Sequence, residues 1–252
     1  GACFLPQQIP ALREIKRISC GESHTLCVDA SGDAYIFGVD QFCTPRHTNL
    51  YGATKKVNLT NVKDVAAGQH HSLFLREDGS IFACGEPKGT GFKETIYISE
   101  PKKYTDVDSV FVSIKAGDFH NLVLDTNDII YSFGENEYGQ LGLGNRTAAQ
   151  SITALSFFEN IDIKSIHCGS TWSVVLTESG EVYGFGKCHA FHLLGGSSPA
   201  TIAPCQLKLP FVYVVSDGGD RIIFKTESDI YSYSSSTQYC PCDGPVSENH
   251  TF

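Results

Sequence analysis

Nine histidines and ten cysteines are the residues of this 252-residue chain best suited to chemistry. Three of the histidines, His24, His71 and His120, each stand three residues after a glycine (Gly21, Gly68 and Gly117). Imidazoles can ligate a metal or move a proton. These three, however, lie 47 and 49 residues apart in a recurring frame, so they belong to separate units and do not converge. The expectation is a local hydrogen bond pinning strand to turn, one ring nitrogen donating and the other accepting. Cys188, His189, His192 and Cys205 make one thiolate–imidazole group; Cys240, Cys242 and His250 make another. Neither has the paired two-residue spacing of a structural zinc site, and no metal is expected. Gly139, Gly142 and Gly144 form a glycine-rich run without the strand-to-helix context of a phosphate loop, so a tight turn is expected there. No serine or threonine sits in a nucleophile elbow, and neither a catalytic residue nor a cofactor is assigned.

The elements that must position these residues come from a block of about 21 residues recurring five times, at 18–38, 65–85, 114–134, 166–186 and 214–234. Successive copies start 47, 49, 52 and 48 residues apart. Such a period marks a repeat architecture. A branched aliphatic (Ile18, Val65, Ile114, Ile166, Val214) stands three residues before the first glycine position. Apolar runs such as Leu26–Val28 and Leu73–Leu75 follow it, which suits a strand buried on both faces. A turn pair comes next: Ser31-Gly32, Asp78-Gly79, Asn127-Asp128, Ser179-Gly180 and Glu227-Ser228. Most of these tolerate the positive φ of a tight hairpin. The second strand carries an aromatic in every copy: Tyr35, Phe82, Tyr131, Tyr183 and Tyr231. One meander cannot bury two apolar faces alone, so the copies pack on one another, radially as a propeller or linearly as a solenoid. A period near 50 favours a propeller of four-stranded blades. In the fifth copy Asp217 aligns with the first glycine, Asp220 with the histidine and Ser234 with the closing glycine, keeping the 17-residue spacing of the others.

The motif of a small residue, Gly-x-x-His-Thr/Ser-Leu, a turn and an aromatic strand ending Phe-Gly resembles the regulator of chromosome condensation repeat. Copy three carries it nearly end to end, from Ala116 through Gly139-Gln-Leu-Gly142 to Gly144. The resemblance runs from Ile18 to about Tyr233. It implies an all-β propeller, usually of seven blades in that family. With five copies here, the ring is expected to be smaller, open, or part of a longer chain. It also implies one alternative function, guanine-nucleotide exchange on a Ran-like small GTPase, and another, service as the partner-binding module of a larger ubiquitin ligase or kinase.

A formal charge of −9 argues against a chain that mainly grips nucleic-acid phosphates. No run approaches the roughly 20 apolar residues of a membrane helix, and no membrane insertion is expected. Cys20, Cys27, Cys84 and Cys168 occupy strand positions filled by small or apolar residues in other copies, so packing explains them. A reduced, intracellular protein, cytoplasmic or nuclear, is the expectation.

Residues 1–252 are accordingly read as a single repeat domain. Its function is read as that of a non-catalytic protein-interaction scaffold, because variable loops on a rigid frame are where binding resides. The variable segments are 39–58, 86–109 and 187–209, with Phe92, Tyr97 and Tyr104 as candidate partner contacts. Asp217, Asp220 and Arg221 form a second candidate patch, on the worn fifth copy.

Overall fold

Short β-rich runs separated by Gly-containing turns favour hairpins, and hairpins are what the chain builds. The computed structural model describes residues 8–38, 54–195, 200–219, 221–234 and 244–246. Among them, twenty strands form five four-stranded antiparallel sheets, each in sequential order. Blade 1 comprises Ile15–Cys20, His24–Asp29, Ala34–Gly38 and Lys55–Lys56; blade 2 comprises Val62–Ala67, His71–Arg76, Ile81–Gly85 and Ile98–Lys103. Blade 3 comprises Phe111–Ala116, His120–Asp125, Ile130–Gly134 and Ala149–Ala154. Blade 4 holds Ile163–Cys168, Trp172–Thr177, Val182–Lys187 and Ala200–Gln206; blade 5 holds Val212–Gly218, Arg221–Thr226, Ile230–Ser234 and Gly244–Val246. The α-helices among the described residues are the single turns Pro87–Thr90 and His189–Leu193, and no helix is long and apolar enough to cross a membrane.

The core lies between blades. Leu26, Val28 and Ile36 of blade 1 meet Val65, Phe74 and Cys84 of blade 2. Leu73 and Leu75 of blade 2 meet Ile114, Val123 and Phe133 of blade 3, and Leu122 and Leu124 meet Ile166, Val175 and Phe185 of blade 4. Trp172 and Val174 meet Val215, Ile222 and Phe224 of blade 5. Alternation along the second strands of blades 2, 3 and 4 therefore serves two junctions at once, which is why both faces of those strands are buried. Among the described residues, no packing of comparable extent joins blade 5 to blade 1. Ile18 on the leading face is 66% exposed, whereas its counterparts Val65, Ile114 and Ile166 are buried.

The fifth blade corrects the sequence alignment. In blades 1 to 4 the residue before the glycine pairs with the one four after it, as Cys20 with Thr25 and Ala67 with Ser72. The corresponding ladder in blade 5 pairs Asp217 with Ile222 and Gly218 with Arg221. Gly218, not Asp217, thus occupies the glycine position, and Arg221 stands where the histidine does. Val215, not Val214, is the buried aliphatic. The compensating residue is lost from the hairpin turn: Thr226 N–H donates to Asp229 O, whereas Asp29 N–H reaches Asp33 O and Thr177 N–H reaches Glu181 O. The constant spacing of 17 residues hid two offsetting one-residue shifts.

The cysteines need a second correction. Cys27 and Cys168 are buried and outside any disulfide, as packing predicts, and Cys20, Cys188 and Cys205 are not disulfide-bonded either. Cys84 is disulfide-bonded, so burial among apolar neighbours is not its whole role.

Candidate functional site

Glycine, histidine and the polar residue after it form a node at the first three blade junctions. His24 Nε2 lies 3.1 Å from Ser72 Oγ, His71 Nε2 lies 2.7 Å from Asn121 Oδ1, and His120 Nε2 lies 2.9 Å from Ser173 Oγ. Each bond crosses to the next blade rather than to the histidine's own turn, which corrects the local-pin expectation. Asn121 Nδ2 donates to Gly89 O at 2.6 Å, and Ser173 Oγ donates to Gln140 O at 2.8 Å. With those protons committed, His71 and His120 must donate through Nε2–H. Each acceptor thereby ties its own blade to the preceding blade's second strand and to the loop leaving that blade's third strand. The Gly139–Gly144 run is such a loop, a turn between strands as expected, and Gly144 N–H donates to Ile202 O of blade 4.

The signal for these acceptors was present as a short polar side chain inside an apolar run: Ser72, Asn121, Ser173. In blade 5 the register puts Ile222 there, and the facing residue is Trp172 instead of histidine. A hydrogen-bonded node is replaced by an apolar one, with Trp172, Phe191, Ile222 and Phe224 in one cluster. Asn121→Ala is expected to cost about 2–3 kcal/mol of unfolding free energy, because His71 and Gly89 O lose their buried partner together. Asn121→Ser, the residue of blades 2 and 4, should recover part of that loss in urea titrations.

The glycines serve close approach. Gly21, Gly68, Gly117 and Gly169 do not have positive φ, yet a Cβ on Gly21 would lie 2.3 Å from Gly68 O. Backbone bonds run between the turns, Gln69 N–H to Asp118 O, Asp118 N–H to Ser170 O and Ser170 N–H to Gly219 O. They surround an axial cavity of about 490 Å³. The histidines are therefore consumed by architecture, and among the described residues no group of three or more His, Cys, Asp or Glu side chains is placed to hold a metal ion. Cys240, Cys242 and His250 lie outside the described residues.

The candidate contact residues divide between two places. On blade 2, Phe92 stacks on Tyr104 with ring centroids 4.3 Å apart, and the Lys102 ammonium lies over Phe92 at 4.6 Å and pairs with Glu94. Tyr104 is only 5% exposed and its hydroxyl donates to Thr90 O. It therefore anchors the loop and cannot meet a partner, a correction to its assignment. Tyr97 is 41% exposed, and the adjacent Ile96, which the sequence reading passed over, is 70% exposed. A chain of contacts continues along this rim. His70 pairs with Glu22 at 3.4 Å, and Lys88 sits 4.5 Å from the Phe119 ring and 3.0 Å from Glu135. On blade 5, Arg221 is exposed at the histidine position and Asp217 lies in the first strand, while Asp220 lies outside the described residues. Blades 3 and 4 stand between the two groups, so the fold does not bring them together. Of the variable segment 39–58, only residues from 54 onward are described.

These features define a β-propeller of five described blades, fastened by histidine-centred nodes around an axis. Two family models for the regulator of chromosome condensation (RCC1) repeat match it, one over residues 127–176 and one over 62–88 and 111–140. The mouse regulator of chromosome condensation is 29% identical over 215 residues, 75% of this chain and 51% of the relative. Human HERC6, a probable E3 ubiquitin-protein ligase, is 29% identical over 211 residues, covering 77% of this chain and 20% of that protein. The crystal structure of Prp20p from Saccharomyces cerevisiae, described together with that protein's binding to Gsp1p and histones, superposes with a TM-score of 0.79 at 19% identity, covering 94% of this chain and 64% of Prp20p. Residues 62–88 and 111–176 thus match regulator of chromosome condensation repeats, and the chain spans about half the length of the mouse regulator.

Proposed function

We propose that this chain is a non-catalytic scaffold that binds a protein partner through the rim carrying the loops after the third strands. The observation that carries this reading is the blade 2 loop. Ile96 and Tyr97 stand exposed on a segment whose base is locked by the Phe92–Tyr104 stack. Exposed apolar and aromatic side chains on a pre-organised loop supply binding energy without a large ordering cost. The relatives support it too. About three quarters of the chain matches, at the same identity, a protein named as a regulator of chromosome condensation and one named as a probable ubiquitin ligase.

The likeness to the mouse regulator favours one second reading, exchange activity on a Ran-like small GTPase. One experiment addresses both. The wild-type chain and an Ile96→Asp/Tyr97→Asp variant are compared for proteins captured from lysate and for release of mant-GDP from Ran. The scaffold reading expects partners lost by the variant at an unchanged melting temperature, and no acceleration of release. Ten-fold faster release at sub-stoichiometric chain would replace it with the exchange-factor reading.

A further inference from the structure

Antiparallel blades present two rims. The one opposite the loops discussed above is made of hairpin turns and of connectors between blades. At three junctions on that rim a backbone bond closes the seam: Val62 N–H to Gly32 O at 2.9 Å, Phe111 N–H to Gly79 O at 3.0 Å, and Val212 N–H to Gly180 O at 3.1 Å. The three acceptors are glycines with φ between 78° and 81°. A Cβ there would lie 2.5 Å from Val110 Cγ1 at Gly79 and 2.5 Å from the Phe211 ring at Gly180.

The junction between blades 3 and 4 departs from this pattern. The equivalent residues are Asp128 and Ile163, and no such bond joins them. Asp128 takes φ of 60°, a conformation that L side chains rarely adopt, at a place where blades 1, 2 and 4 use glycine. The connector, residues 155–162, carries an added 3₁₀ turn at Ser156–Phe158. Where the other seams are shut, this one opens into a cleft of about 410 Å³. Its floor is apolar, from the buried Ile130, Leu155 and Phe158, and Asp128, Glu159 and Asp162 stand along its walls. Among the described residues no lysine or arginine lines it, and none of the three carboxylates is in an ion pair.

An apolar floor beneath carboxylate walls is complementary to one kind of side chain, an aliphatic stem ending in a cation. We propose that the cleft between blades 3 and 4 receives a lysine or arginine side chain from a basic segment of a partner protein. The site lies on the opposite rim from the Ile96–Tyr97 loop, so it stands or falls separately from the proposed function.

The test uses fluorescein-labelled decalysine as the probe, followed by fluorescence anisotropy at physiological salt. Asp128→Gly/Asp162→Asn removes two carboxylates and installs at 128 the residue of blades 1, 2 and 4, so the fold is expected to be kept or strengthened. Asp106→Asn/Asp108→Asn removes the same charge from the connector between blades 2 and 3. Expected is at least a tenfold weaker affinity in the first variant, an affinity within twofold of wild type in the second, and unchanged melting of both. Equal loss in the two variants would reduce the binding to net charge and overturn the site, as would absence of binding. Calcium binding in the cleft that decalysine does not displace would also overturn it, in favour of a cation site.

Discussion

Gly117→Ala is expected to cost about 3 kcal/mol or more of unfolding free energy, while Gly218→Ala costs almost nothing. The added Cβ at 117 would lie 2.2 Å from His120 Cε1 and 2.4 Å from Gly169 O. The ring cannot swing away without giving up its 2.9 Å bond to Ser173. Nor can the carbonyl withdraw freely, because the neighbouring Asp118-to-Ser170 bond holds the two turns together. Overpacking of this kind costs about 1–3 kcal/mol when neighbours relax, and more when they are backbone. Gly218 has the same place in blade 5, but a Cβ there meets nothing within 4 Å. Alanine in an extended strand also loses less chain entropy than glycine, a gain of about 0.5 kcal/mol. Urea unfolding of the two variants measures both effects. Equal loss at both positions would mean that the glycines serve backbone conformation rather than approach between blades.

That contrast also marks how far the sequence could be read. Propeller architecture was legible because three of each blade's four strands lie inside or beside the repeated block, and their apolar residues recur in register. The fourth strands were not legible individually. Ile98–Lys103 and Ala200–Gln206 are outer strands with no fully buried residue, and such edges carry no periodic apolar signal. The histidines were rightly seen as architectural, but their partners lie 48 to 53 residues away in the next blade, beyond any local pattern. Copy five misled because a shift at Gly218 and a shortened turn at residues 227–229 cancel in the count. The substitution of Trp172 for histidine then becomes intelligible. Opposite Ile222 an imidazole would have no acceptor, and a ring that fills space suits the junction better. On the blade 2 loop, aromatic composition could not separate the anchor Tyr104 from the exposed Tyr97, since burial decides between them.

The His120 node should also make the propeller acid-sensitive from a pH above the range in which carboxylates titrate. His120 is buried, and burial lowers its pKa to about 3, with the neighbouring His71 adding to the effect and a backbone bond at Trp172 opposing it. In the unfolded chain the same imidazole titrates near 6.5. The folded state therefore binds fewer protons than the unfolded state between those two values, and stability must fall as pH falls through this window. Above pH 6.5 the contribution is constant. Below it, His120 alone should remove about 1.4 kcal/mol per pH unit, or about 2 kcal/mol by pH 5. Asp29 and Asp78, whose carboxyls are held below their usual range by hydrogen bonds to Ser31 and Ser80, destabilise the fold only at lower pH, below their unfolded values near 3.9. His120→Gln retains a neutral N–H donor for Ser173 while removing the titration. Unfolding free energies at pH 7 and pH 5 should differ by about 2 kcal/mol more in the wild type than in that variant. Identical differences in the two proteins would show that the imidazole between blades 3 and 4 is already protonated at pH 5 in the folded state, and the node would then have to be redrawn with a charged histidine.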